Sequence, residues 1–177
     1  MENSNLLLVY LTTLLVLLSI SAVLIFRQVW KTRRVEGTLG RLQTKLSKEK
    51  GTAQEYYELG SLLLDKKLYV QATVQFKLAL KALGDDEVDN ASLIYNALGY
   101  TYFAQDQYDL AIRTYKEALN LDPNYVNALN NIGHSYERKQ LIPQALEVYE
   151  QALACEPDNK TAKRRAESLK KRVVPSA

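Results

Sequence analysis

The chain is poor in the residues that build reaction centres. Its 177 residues include one cysteine and one histidine. A lone thiol, Cys155, excludes an internal disulfide and suits a reducing compartment. Cys155 reads as a small, semi-buried filler, not a nucleophile. His134 and Cys155 lie 21 residues apart and cannot hold a metal without carboxylates at ligand spacing. No glycine-rich phosphate loop, nucleophile elbow or zinc ribbon is present. The acidic pairs fall in turns and on outer helix faces, where solvation and helix-start capping account for them. These absences argue against an enzyme and imply no metal and no cofactor.

A broad basic surface is also missing. The net charge of +3 hides an asymmetry. Residues 27–50 carry eight Lys/Arg against two acids, and residues 160–172 carry seven against one. Residues 51–159 carry eight against sixteen. Two basic ends flank an acidic middle, which is not a nucleic-acid footprint.

Long uncharged runs are absent except at one place. Leu6–Phe26 holds 21 residues without a charge, fifteen of them Leu, Ile, Val or Phe. As a helix it spans about 31 Å at about 1.5 Å per residue, the thickness of a hydrocarbon core. Thr12, Thr13, Ser19 and Ser21 can bond back to carbonyls of the same helix. Arg27, Trp30, Lys31, Arg33 and Arg34 follow at once and read as interfacial anchors. A cleaved signal peptide fits less well, because it wants a basic n-region, a shorter apolar core and a small-x-small cleavage site. The positive flank puts the rest of the chain on the cytoplasmic side or its plastid equivalent.

Residues 27–52 form a basic, partly helical linker. Val35, Leu39, Leu42 and Leu46 make one apolar stripe, which Gly37 and Gly40 weaken. The stripe serves a helix that packs on the downstream domain or lies near a membrane. The linker's basic face suits contact with anionic lipid.

Self-comparison supplies the strongest pattern. Residues 95–125 realign on 129–159 with a shift of 34. The matches are Tyr95/Leu129, Leu98/Ile132, Gly99/Gly133, Tyr102/Tyr136, Ala111/Ala145, Tyr115/Tyr149, Ala118/Ala152 and Pro123/Pro157. An earlier copy carries Tyr56, Leu59, Gly60, Leu63, Ala72, Phe76 and Ala79, with Gly84 in the proline's place. The pattern resembles the tetratricopeptide repeat, each unit of which is two antiparallel helices. Gly99 and Gly133 let the second helix of their unit approach closely, as do Ala111 and Ala145 from the other side. Tyr102, Tyr136, Tyr115 and Tyr149 fill the remaining volume. Proline cannot continue a helix interior but suits a first turn, so Pro123 and Pro157 mark unit ends and Pro143 a helix start.

The fold expected is therefore all-α: a transmembrane helix, then a right-handed superhelix of three such helix pairs and a capping helix. The divisions are a tail at 1–5, the membrane helix at 6–26, the linker at 27–52, repeats at 53–86, 92–125 and 126–159, and the cap at 160–173. An acidic inter-repeat turn at 87–91 takes up the 39-residue offset between the first two copies. In the cap, Ala162, Ala166, Leu169 and Val173 are spaced 4, 3 and 4 to cover the exposed end of the stack. Pro175 closes it, ahead of a tail at 174–177.

The repeat resemblance implies a concave surface lined by the first helix of each unit. Its positions are Gln54, Tyr57, Ser61, Leu64 and Asp65; Leu93, Asn96, Tyr100, Phe103 and Ala104; and Asn127, Asn130, His134, Glu137 and Arg138. Helix geometry supports this split: Leu129, Ile132, Gly133 and Tyr136 share one face, and Asn127, Asn130, His134 and Glu137 another. Asparagine donates and accepts, so it can pair with a bound peptide backbone. Tyr57, Leu64, Tyr100 and Phe103 would add an apolar patch. His134 is thus a recognition candidate. Chaperone-binding repeats grip a C-terminal carboxylate with basic residues near 127 and 131. Both positions are Asn here, so chaperone tails are not the expected partner.

The layout as a whole resembles a cyanobacterial and plastid-encoded family of photosystem I assembly proteins. "ELGSLLLDKKLYVQA", "NALGYTYFAQDQYDLAI" and "NKTAKRRAESLKKR" carry that resemblance along the chain. It implies a non-enzymatic assembly factor in the thylakoid membrane, single-pass, with its repeats in cytoplasm or stroma. Photosystem I subunits or other assembly factors would be its partners. The alternatives are a general membrane-anchored scaffold or receptor for another biogenesis or translocation system, and a self-associating scaffold.

Overall fold

The computed structural model describes residues 2–84 and 88–173, with side chains from 10–84 and 90–172. These residues form eight helices and no strand: α1 Glu2–Leu46, α2 Ala53–Asp65, α3 Tyr69–Ala82, α4 Val88–Phe103, α5 Tyr108–Leu121, α6 Val126–Arg138, α7 Ile142–Cys155 and α8 Lys160–Val173. The chain divides into two units, residues 1–45 and 46–177.

In the first unit α1 is one unbroken helix. Residues 2–5 are helical, not a tail; the 27–52 linker is helical through Gly37 and Gly40 as far as Leu46 and non-helical from 47 to 52. Each glycine costs a helix only about 1 kcal/mol, and the long run of Leu, Arg, Lys and Gln around them outweighs that. Among the described side chains from Tyr10 to Phe26 all are exposed. Thr13, Ser19 and Ser21 each donate to a carbonyl three or four residues back, at 2.8–2.9 Å, which satisfies their hydroxyls within the helix. This segment is long and apolar enough to cross a membrane.

The second unit stacks three helix pairs and a cap. Threonine and glutamate at the right spacing start α2: Thr52 Oγ1 accepts from the Glu55 amide at 3.2 Å, and Glu55 Oε2 accepts from the Thr52 amide at 3.1 Å. Within each pair, one glycine meets one aromatic ring. A Cβ on Gly60 would lie 2.8 Å from Phe76, one on Gly99 2.6 Å from Tyr115, and one on Gly133 2.5 Å from Tyr149. The three rings are fully buried, as are Ala72, Ala111 and Ala145 beside them. Between pairs, Ile132 of α6 packs on Ala111 and Tyr115 of α5. In the last layer Ala162, Ala166 and Leu169 of α8 close over Leu129, Ala145, Tyr149 and Ala152. Val173 has no described side chain, and Pro175 and the tail lie outside the described residues.

The turn inside each pair repeats one conformation. Lys67, Asp106 and Gln140 have φ of 61°, 59° and 59°, the left-handed region that disfavours side chains bearing Cβ. Between the first and second pairs the expected acidic turn at 87–91 is replaced. Residues 88–91 are the first turn of α4, which is 16 residues long against 13 in α2 and α6. Residues 85–87 lie outside the described ones.

Cys155 is exposed, not a semi-buried filler. It ends α7, where Asn124 Oδ1 lies 3.5 Å from its Sγ.

Candidate protein-binding face

Helices α2, α4 and α6 lie side by side in one layer, with α4 touching both of the others. The face they share carries three stripes with one spacing of 3, 4 and 3: Gln54, Tyr57, Ser61 and Leu64; Leu93, Asn96, Tyr100 and Phe103; Asn127, Asn130, His134 and Glu137. The opposite side of each helix packs on its own pair and, in α6, on α5 and α8 as well.

The middle of this face is aromatic. Leu93 and Tyr100, seven residues apart on α4, are 46% and 48% exposed. Tyr100 stacks on Phe103 with ring centroids 6.3 Å apart, and Phe103 meets Tyr108 edge-on at 5.4 Å. Arg138 lies over the Tyr108 ring at 5.1 Å and pairs with Asp106 at 3.3 Å. Tyr57 is half-buried against Phe76, with centroids 5.8 Å apart. A cavity of about 440 Å³ opens beside it, lined by Thr52, Gln54, Tyr57, Leu83, Asn90 and Leu93 among others. Leu64 is half-buried and Asn127 exposed.

The asparagines divide between two tasks. Asn131 Nδ2 donates to Asn96 Oδ1 at 2.9 Å, so the amides at these positions bridge α6 to α4. Helix spacing assigns Asn130 to the open face, but the residue is only 8% exposed. Its Nδ2 donates to Asn159 Oδ1 at 3.2 Å, because the turn into α8 folds back over it. Tyr125, which helix spacing could not flag because it precedes α6, joins the face. Burial raises its hydroxyl pKa most, followed by Tyr57, while the Asn127 and Asn96 amides pull it down.

Toward α8 the face becomes polar and partly enclosed. Glu137 accepts from the Tyr149 hydroxyl at 2.7 Å and pairs with Arg165 of α8 at 3.5 Å. That hydroxyl is strongly raised, by burial first and by Glu137 second. His134 packs edge-on against Tyr149, with centroids 6.1 Å apart. Its pKa is lowered, by burial first and then by Arg165; Glu137 opposes this and Arg164 adds to it. A histidine with a lowered folded pKa binds fewer protons folded than unfolded, so stability is intact above the unfolded pKa of about 6.5. It falls as pH drops through that value toward the folded pKa. His134→Gln is expected to flatten the loss of stability between about pH 7 and pH 5, read by urea denaturation at each pH. An unchanged slope would sink this assignment.

Among the described residues no group of His, Cys, Asp and Glu could hold a metal ion. Arg27, Trp30, Lys31, Arg33 and Arg34 are all exposed on α1.

The family pattern described as "Tetratricopeptide repeat" matches residues 126–159, and one described as "TPR repeat" matches 99–140. The ycf37 protein of Guillardia theta is 36% identical over 165 residues, 93% of each chain. This chain belongs to the ycf37 family of tetratricopeptide-repeat proteins. The chloroplastic tetratricopeptide-repeat protein PYG7 of Arabidopsis thaliana is 37% identical over 93% of this chain, which spans 54% of that longer protein. The photosystem I assembly protein Ycf3 of Prochlorococcus marinus is 33% identical over 98 residues, 55% of each chain. Among solved structures, the first repeat domain of RPAP3 bound to an HSP90 peptide superposes with a TM-score of 0.63 at 19% identity. It covers 71% of this chain and 95% of its own, a likeness of fold. The family gives the second unit its repeat fold, and the three glycine–aromatic pairs are how this sequence builds it.

Proposed function

We propose that the chain is a membrane-anchored, non-enzymatic adaptor that holds a segment of a partner protein during assembly or stabilisation of photosystem I. Kinship carries the reading: ycf37 proteins and PYG7 align over nearly the whole chain, and a protein named for photosystem I assembly aligns over part of it. The exposed aromatic face between α2, α4 and α6 supports the binding role, since large apolar side chains that folding does not bury mark contact sites.

The exposed apolar run of α1 supports anchoring in a thylakoid membrane. Trp30 and the four basic residues around it would sit at the interface, and their charge would keep the repeats in cytoplasm or stroma. Confinement near the bilayer raises the effective concentration of the face against membrane-embedded partners. The basic residues of α1 would also meet anionic lipid.

Deleting the gene from a photosynthetic host is expected to lower photosystem I accumulation while leaving transcripts of its subunits unchanged. The measurement is photosystem I per chlorophyll across light levels. Normal accumulation at every light level would overturn the role.

A further inference from the structure

The outer side of the first helix pair differs from those of the other two. Leu68, Val70 and Val74 are 43%, 72% and 49% exposed, three large aliphatic side chains on one short stretch. Val70, Val74, Lys77 and Lys81 are spaced 4, 3 and 4 and form a single stripe along α3. Lys66 and Lys67 stand in the turn before it, so two lysines flank the aliphatic group at each end. All four lysines are exposed, and Lys77 also lies over the Tyr102 ring at 5.8 Å. Among the described residues α3 is the one helix without Asp or Glu. Residues 66–84 hold half of the eight Lys/Arg found between 51 and 159, and none of the sixteen acids there.

The internal repeat shows that folding does not ask for these residues. Offsets of 39 and then 34 bring Val70 onto Asp109 and Pro143, and Val74 onto Arg113 and Glu147. The same offsets bring Lys81 onto Asn120 and Ala154. The later pairs thus put mostly polar or charged residues where the first puts valine, around the same buried alanine and aromatic ring. An aliphatic group flanked by lysines, with no acid beside it, has the composition of a helix that lies in a membrane interface. The aliphatic side chains enter the acyl boundary, while the lysine stems reach up to the headgroups.

Charge and tether name the occupant. Most of the repeat unit is acidic and is repelled by anionic lipid, whereas this face is attracted to it. Only residues 27–52 separate the apolar run of α1 from α2, so the first pair is the one tethered closest along the chain to a bilayer. We infer that the exposed side of α3, with the turn before it, rests on the anionic surface of the bilayer that α1 crosses. This depends on the anchoring proposed for α1 and adds to it a second contact, made by the folded repeats. The aromatic face lies on α2, α4 and α6, not on α3, so a bilayer against α3 leaves that face open to partners.

The test places the full chain in lipid nanodiscs, whose two surfaces are both open to solvent. Cys155→Ser removes the native thiol, and a polarity-sensitive fluorophore is attached through Gln71→Cys, at an exposed position beside the stripe. Gln144→Cys, the exposed residue at the same repeat position on α7, carries the fluorophore in the control. With about one third anionic lipid, the label at 71 is expected to emit at shorter wavelength and to be quenched about threefold less by aqueous acrylamide than in neutral discs. The label at 144 should not change. Salt at about 0.5 M should remove the difference, because it screens the lysines from the headgroups. Val70→Asp with Val74→Arg, the residues of the second pair, should also remove it, with helical circular dichroism unchanged. Protection at 71 that is absent, equal to that at 144, the same in neutral discs, or untouched by the double variant overturns the contact while leaving the anchor standing. Protection that appears only when native membrane proteins are added also overturns it, since the face would then take a protein. A chain that does not enter the discs overturns the anchor and the contact with it.

Discussion

Gly133→Ala is expected to destabilise the repeat unit by about 2 kcal/mol, and Gly99→Ala by a similar amount. The sign is not obvious. Alanine in place of glycine inside a helix gains about 1 kcal/mol of propensity. Here the added methyl would lie 2.5 Å from Cζ and 2.6 Å from Cε1 of Tyr149. That ring is fully buried and its hydroxyl is held by Glu137, so it has nowhere to retreat. Overpacking a tight core costs about 1–3 kcal/mol, occasionally more, and at this overlap it exceeds the propensity gain. Urea denaturation of the full chain, followed by helical circular dichroism, checks the prediction. Tyr149→Leu in the same chain should absorb much of the loss, giving less than additive effects. A midpoint raised by Gly133→Ala would mean that the helices separate freely and that the glycine is not a contact residue.

The double variant Tyr100→Ala with Phe103→Ala is expected to reduce partner recovery at least tenfold, while costing the fold no more than about 2 kcal/mol. Tyr100 is nearly half exposed and stacks on Phe103; Phe103 is half-buried and also packs against the cluster of Ala111, Tyr115 and Ile132, so most of the stability loss comes from that ring. Aromatic anchors of this kind carry much of an interface's energy, commonly about 2 kcal/mol or more each. The measurement is quantitative affinity purification from native membranes in mild detergent, wild type against variant. Equal recovery of the same proteins would sink the binding face, whatever the membrane helix does. A large drop in stability would show that the two rings belong to the core.

Periodicity made the packing half of the repeats legible. Leu129, Ile132, Gly133 and Tyr136 recur at the spacings of Tyr95, Leu98, Gly99 and Tyr102, and an internal repeat exposes such positions without homologues. The pattern marked the glycines as points of close approach and the aromatics as fillers; that each glycine meets the ring 16 residues on, in all three copies, came from the structure. The open face was harder to read, because its residues answer to neighbours from other repeats. Asn130 shares a helical stripe with Asn127 and His134, yet Asn159, 29 residues on, returns to cover it. Glu137 is on that stripe too, and is claimed by Tyr149 and Arg165. Tyr125 lies in a turn, where no periodicity applies. Residues 88–91 read as loop because Asp and Asn favour turns, but the same residue types are also found at helix starts. The left-handed turn residues Lys67, Asp106 and Gln140 share no side-chain chemistry, so nothing in their identity announces the shared backbone.

Because each ring meets its glycine within its own pair, the core is assembled from contacts that are short in sequence. Chains of low contact order fold quickly, and repeat stacks propagate from whichever unit forms first. The first pair is complete once residue 82 has left the ribosome, without waiting for the second. Each later unit then docks on a template already in place. A chain whose leading helix is this apolar gains from such order: while α1 is being sorted, the repeats behind it need no distant partner to hide their own apolar surface.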